Sequence, residues 1–231
     1  MGKRGILLMV RADVPPQMET EWNNWYDTKH IPECFNNVPG VLTARRFVAI
    51  EGTHHGEPKY LTLYDLASVD VLASEAYLSL RNRQASLPPD SFEATMSKLP
   101  NFSCGLYQQV YPEQGEYRMP DTEIIDAVGH DPSPVREEEF NAWYNTENMP
   151  AIARVPAFVT ARRFMAVDTE WPPGARIRLS GPKYIALYDL DNEEVLRSEA
   201  SLRRRNTPWG SWIRSQCPLR LRFVGRRIYP K

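Results

Sequence analysis

His30 is the side chain in this 231-residue sequence best suited to proton chemistry near neutral pH. It follows Tyr26 by four residues and Asp27 by three, so on an α-helix both are its neighbours. An imidazole at the rim of an apolar stripe, with a carboxylate to hold its tautomer, is a general acid/base, and Tyr26 or Tyr60 would steady a developing oxyanion. The plain alternative is a half-buried histidine closing a helix end beside Pro32. Trp22, Trp25, Phe47 and Arg46 form a candidate substrate-binding set, with His130 as a further lining residue. Arg45 and Arg46 are strand neighbours, so one should face inward and the other outward; the buried guanidinium needs a partner, and Asp65 or Asp189 would serve.

Other candidate groups point away from cofactors. His54 and His55 stand beside Glu57, but adjacent histidines are poor co-ligands and no metal site is expected. Cys34, Cys104 and Cys217 are odd in number and far apart, which indicates neither a disulfide framework nor a zinc knot. No nucleotide, phosphate or haem-attachment motif appears, so the expected chemistry needs no cofactor.

The elements that must position His30 are written twice. Trp25-Tyr26-Asp27-Thr28-Lys29-His30-Ile31-Pro32 returns as Trp143-Tyr144-Asn145-Thr146-Glu147-Asn148-Met149-Pro150. Thr43 to Phe47 returns unchanged as Thr160 to Phe164, Pro58 to Leu66 as Pro182 to Leu190, and Val71 to Asn82 is echoed by Val195 to Asn206. Both titratable groups are lost in the second copy, where Asp27 becomes Asn145 and His30 becomes Asn148. The first half is therefore the expected active half and the second a degenerate partner. The units are set at 1–112 and 122–231, with a Gly- and Pro-containing linker at 113–121.

Within each unit the apolar period alternates. Ile6 to Val10 has strand length, Pro15-Pro16 opens a helix, and Met18, Trp22, Trp25 and Tyr26 fall on one helical face. Val41 to Ile50 and Tyr60 to Leu66 read as strands, Asp65 to Arg83 as a second helix, and Phe102 to Tyr111 as a last strand. The order βαββαβ predicts an α+β fold: two tandem ferredoxin-like units packed sheet to sheet as an α/β barrel.

Composition limits the partners. Hydrophobic residues at 42 % and charged residues at 25 % are ordinary globular values, and a net charge of −1 supplies no field for nucleic acid or an anionic membrane. No apolar run spans a bilayer and no signal segment opens the chain, so a cytoplasmic location is expected. The tail 197–231 is rich in arginine, read as a solvated face or a contact with the acidic first half.

The Trp-Tyr-Asp-Thr-Lys-His-Ile-Pro block, with Val38-Pro39-Gly40 and Thr43-Ala44-Arg45-Arg46-Phe47 after it, resembles the EthD-like branch of the dimeric α/β-barrel superfamily over both halves. The resemblance implies a pocket between sheet and helices with His30 at it. The superfamily includes cofactor-free oxygenases, isomerases, cyclases, decarboxylases, haem enzymes and ligand-binding proteins. The combined expectation is a monomeric barrel or homodimer acting as a lyase or isomerase on a small hydrophobic, aromatic or polyketide-like molecule. A hydrophobic-ligand-binding module and a cofactor-free oxygenase are the alternatives.

Overall fold

Pro32 and Pro150 shape the two repeated blocks. A proline donates no N–H to the carbonyl four residues back, and its ring crowds that carbonyl. In the computed structural model, which describes residues 5–50, 58–88, 91–95, 99–113, 118–167 and 180–231, the misfit is taken up by a wide π-helical turn just before each proline, Tyr26–His30 and Tyr144–Asn148. Strand β1 (Ile6–Ala12) leads through a 3-10 turn at Pro16–Met18 into α1 (Glu19–Trp25), the π turn and α2 (Ile31–Asn37). Then come β2 (Val41–Ala49), β3 (Tyr60–Leu66), α3 (Glu75–Ala85), α4 (Phe92–Thr95) and β4 (Ser103–Tyr111). Helix α3 starts at Glu75 and not at Asp65, because β3 runs on to Leu66 and Ser74 caps the helix by accepting from the Tyr77 N–H at 3.2 Å.

The second half repeats the pattern with β5 (Ile124–His130), α5 (Glu137–Trp143), α6 (Met149–Ile152), β6 (Phe158–Ala166), β7 (Tyr184–Leu190), α7 (Glu199–Arg205), α8 (Pro208–Gln216) and β8 (Leu219–Tyr229). The strands close into one antiparallel barrel of order β1-β3-β2-β8-β5-β7-β6-β4, so the fold is α+β. Each half supplies four adjacent strands, and the halves join where β2 pairs with β8 and β4 with β6. The expected barrel is found, and its sheets meet at their edges as well, hydrogen-bonded across the halves, which leaves the barrel no open strand edge.

Strand alternation sorts the apolar residues into three cores. Leu7, Met9, Phe47, Leu61, Tyr107, Phe164, Ile185 and Phe223 fill the barrel interior. Trp22, Tyr26, Ile31, Tyr60, Tyr64 and Leu80 pack between sheet and helices in the first half, with Phe140, Trp143, Tyr144, Tyr184 and Tyr188 in the second. Complete burial of one such side chain contributes about 1.5–3 kcal/mol.

The paired arginines correct a second expectation, since neither member of a pair faces solvent: Arg45 and Arg46 are both 0 % exposed. Arg45 shares the interior face with Phe47 and donates to Asp189 at 2.5 Å, while Arg162 donates to Asp65 at 2.7 Å. The carboxylates are the expected ones, each reached from the opposite half. Thr43 and Thr160 donate to the second oxygen of Asp65 and Asp189. None of the described helices is long and apolar enough to cross a membrane. His54, His55 and Glu57 lie outside the described residues, as do 114–117 of the linker.

Candidate functional site

The π turn decides which side chains meet. Its extra residue rotates Asp27 away from His30, and the Asp27 carboxylate accepts from the Arg46 guanidinium instead. Asp27 therefore does not orient the imidazole as the spacing suggested. Arg46 also donates to Asn23 Oδ1 at 2.6 Å and lies 4.4 Å from the ring centres of both Trp22 and Tyr26. Asn23 in turn donates to the Tyr60 hydroxyl at 3.2 Å, and the Tyr64 and Tyr26 hydroxyls are bonded at 3.3 Å. A cleft of about 460 Å³ opens at the edge of this network, between Asn23, Asn24, Asp27 and Thr28 on one side and Tyr229 to Lys231 on the other.

His30 sits on the inner side of the same turn. Its ring stacks on Trp25 at 4.8 Å and meets Tyr26 edge-on at 4.7 Å. Burial, together with the charges of Arg81 and Arg46, pushes its pKa down to about 3, so the imidazole is neutral at physiological pH. Three buried nitrogens here, Trp22 Nε1, Trp25 Nε1 and His30 Nδ1, have no hydrogen-bond partner among the described residues. The second half has no such deficit at the matching positions. Trp143 Nε1 donates to Glu147 at 3.0 Å, and Asn148 accepts from Arg204 at 2.7 Å and donates to Tyr188 at 3.5 Å. Arg163 there repeats the Arg46 network with amides alone, donating to Asn145 at 2.6 Å and Asn141 at 2.7 Å.

Trp22, Trp25, Tyr26, His30, Arg46 and Tyr60 are thus brought together with Asp27 at their rim. Phe47 is not among them, because strand alternation turns it into the barrel interior, on the opposite sheet face from Arg46. His130 belongs to the other half, where its Nδ1 lies 3.3 Å from the Pro218 carbonyl and its ring packs on Phe140 and Tyr144. Asn23 was missed by sequence reasoning; its signal was the recurrence as Asn141, three residues upstream of the Tyr that opens the repeated Tyr-x-Thr. Among the described residues no group of three or more His, Cys, Asp or Glu could hold a metal ion. Imidazole is the donor a haem iron would need. His30, which is half-buried, and His130, which is buried, both pack against aromatic rings and neither borders the cleft, so the described residues do not form a seat for that group.

No family model matches the sequence, and no curated protein matches it. The fold has solved neighbours. A candidate monooxygenase from Fusobacterium nucleatum subsp. nucleatum superposes with a TM-score of 0.57 at 10 % identity, covering 98 % of this chain and 96 % of its own. An anthrone oxidase-like protein gives 0.54 at 12 % identity over 96 % and 91 % of the two chains. A candidate chlorite dismutase gives 0.59 at 13 % identity over 98 % and 95 %. At such identities the likeness is one of fold. The lyase or isomerase expectation is corrected on two counts: these neighbours carry oxidative names, and an imidazole held near 3 and separated from Asp27 is a poor proton shuttle at neutral pH.

Proposed function

We propose that the first half binds a small aromatic or polyketide-like molecule in the aromatic layer around Trp25 and His30 and supports its oxidation by dioxygen. The observation that carries this reading is the set of three unpartnered buried nitrogens in that layer, where the second half has bonded groups at Trp143 and Asn148 and the apolar Phe140 in place of Trp22. A buried polar atom without a partner costs about 1–3 kcal/mol. A ligand carbonyl or hydroxyl oxygen would recover that energy, while Trp22, Trp25 and Tyr26 stack on its rings. Neutral His30 serves as a hydrogen-bond partner that fixes the oxygen.

The monooxygenase and anthrone oxidase-like neighbours suggest the reaction class. In an activated CH2 oxidation the carbon loses two hydrogens and gains one oxygen atom as a carbonyl, and the second oxygen atom leaves as water. The substrate carbon supplies all four electrons that reduce dioxygen, so the protein's part is to bind, orient and exclude bulk water. The same strand order in both halves, β4-β1-β3-β2 and β8-β5-β7-β6, supports a tandem ferredoxin-like duplication divided at 1–112 and 122–231. The Trp-Tyr-Asp-Thr block supports placement in the EthD-like branch.

The test is titration with anthrone, followed by tryptophan fluorescence and by oxygen uptake above the spontaneous rate. Saturable quenching that His30→Ala and Trp25→Phe weaken about tenfold, with Trp143→Phe unchanged, is expected alongside oxygen consumption. Binding without oxygen uptake leaves a ligand-binding module and removes the oxidation.

A further inference from the structure

Equivalent positions in the two helix–sheet layers carry opposite chemistry. Leu8 stands opposite Tyr64 and Leu106, and in the same register Asp126 stands opposite Tyr188 and Val224. On the helices the repeat places Arg204 where the first half has Leu80, Asn148 for His30 and Ser201 for Tyr77. An apolar layer in one half is thus a charged one in the other.

Arg204 reaches inward, donating through Nη1 to Asn148 and lying 5.5 Å from the Phe158 ring. Its Nε is shielded from solvent and has no partner among the described residues, and the same holds for Ser201 Oγ, one helical turn away on α7. Arg205 and Arg214 stand close by, since Arg214 donates to the Arg205 carbonyl. Burial depresses the pKa of Arg204 and of Arg214, and repulsion from Arg205 adds to it in each.

No carboxylate pairs with any of these three guanidinium groups among the described residues. The nearby acids are already engaged: Asp126 with Arg222 at 3.1 Å, and Glu147 with Trp143 and Thr207. The arginines of β8 each have an acidic partner in the second half or the linker, Arg220 with Asp131, Arg226 with Glu123 and Arg227 with Asp121. The tail meets the first half through the backbone, where Arg226 and Arg227 pair in register with Val48 and Phe47 of β2, while the charges of these arginines are taken up by acids outside the first half. Asp126 and Glu147 offset this positive charge only through space, and Asp126 is shared with Arg222, so three gathered guanidinium groups without a directly paired carboxylate favour an anion from outside to complete the set.

We propose that the second half holds a binding site for a small molecule bearing an oxyanion, carboxylate or phosphate, with Arg204 Nε and Ser201 Oγ inside and Arg205 and Arg214 at the mouth. Guanidinium is the donor that matches either anion in a two-pronged geometry. The site stands apart from the aromatic layer of the first half, and its ligand is independent of the oxidation proposed there.

Isothermal titration of the full chain with sodium benzoate and, separately, inorganic phosphate tests the site. Wild type should bind one equivalent of at least one probe, more weakly as salt rises. Arg204→Leu installs the side chain that the first half carries at the matching position, and it should lower affinity about 10- to 100-fold. Arg214→Gln, on the outer rim, should lower it several-fold, and it decides the question if Arg204→Leu does not fold. Preference for benzoate assigns a carboxylate ligand, and preference for phosphate a phosphoryl one. Absence of saturable binding of both probes at millimolar concentration overturns the proposal, as does an affinity that neither substitution changes.

Discussion

Replacing Asp189 by leucine leaves Arg45, which has no solvent exposure, without the carboxylate that accepts from it at 2.5 Å. The Thr160 hydroxyl loses its acceptor in the same step. Breaking a buried pair by removing one partner costs about 3–5 kcal/mol. For a chain of this length each kcal/mol moves Tm by roughly 2–4 °C, so Asp189→Leu should melt about 6–20 °C below wild type. The double variant Arg45→Met/Asp189→Leu removes both charges and fills the interior with apolar side chains of similar volume. It should return to about wild-type stability or exceed it by up to ~4 kcal/mol. Urea unfolding of wild type, both single variants and the double gives the coupling energy directly. A single-variant cost below about 1 kcal/mol, or a double variant as unstable as the two singles added, would show that the charges are not each other's compensation.

Acid should weaken the fold through His30. The unfolded imidazole takes a proton below about 6.5, whereas the folded one stays neutral down to about 3, so stability falls as pH drops through that window, by at most about 1.4 kcal/mol per pH unit. Urea titrations between neutral and mildly acidic pH should show a shallower loss in His30→Gln, and an identical slope would remove His30 as the cause. Asp27→Asn recreates the amide pairing that Arg163 already makes with Asn145, so it should cost no more than about 1–3 kcal/mol by thermal melting. A loss that abolishes folding would mean Arg46 needs the charge. Residues 1–112 expressed alone would expose the β2 and β4 edges and the interior apolar face. Light scattering should find this fragment associated or unfolded, and a stable folded monomer would contradict the shared core.

The strand pattern carried most of the architecture because period-two alternation and the four repeated blocks are local signals. They placed Arg45 and Phe47 on one sheet face and Arg46 on the other without any tertiary knowledge. Which carboxylate each arginine meets depends on how the halves close, and Arg45 reaching Asp189 is a contact across 144 residues that no local pattern encodes. The Asp27–His30 pairing failed for a local reason. Spacing was counted on α-helical geometry, and the π turn before Pro32 changes that count. The depressed titration of His30 depends first on burial in the packed layer and then on Arg81 and Arg46, brought in from other elements. Arg204 in place of Leu80 was visible in the repeat, but its meaning needed Asp126, Asn148 and Ser201 to be seen around it.

Closure of the barrel within a single polypeptide has a consequence for what can vary. Were the partner an identical second chain, every replacement would arrive twice, and a lysine or glutamate tolerated on one side would have to be tolerated on the other. Covalent linkage removes that obligation. The first half carries Leu8, Leu80 and His30 where the second carries Asp126, Arg204 and Asn148, yet Arg45–Asp189 and Arg162–Asp65 remain reciprocal across the seam. The junction is held to symmetry by reciprocal contact, and the outer layers are free to specialise separately.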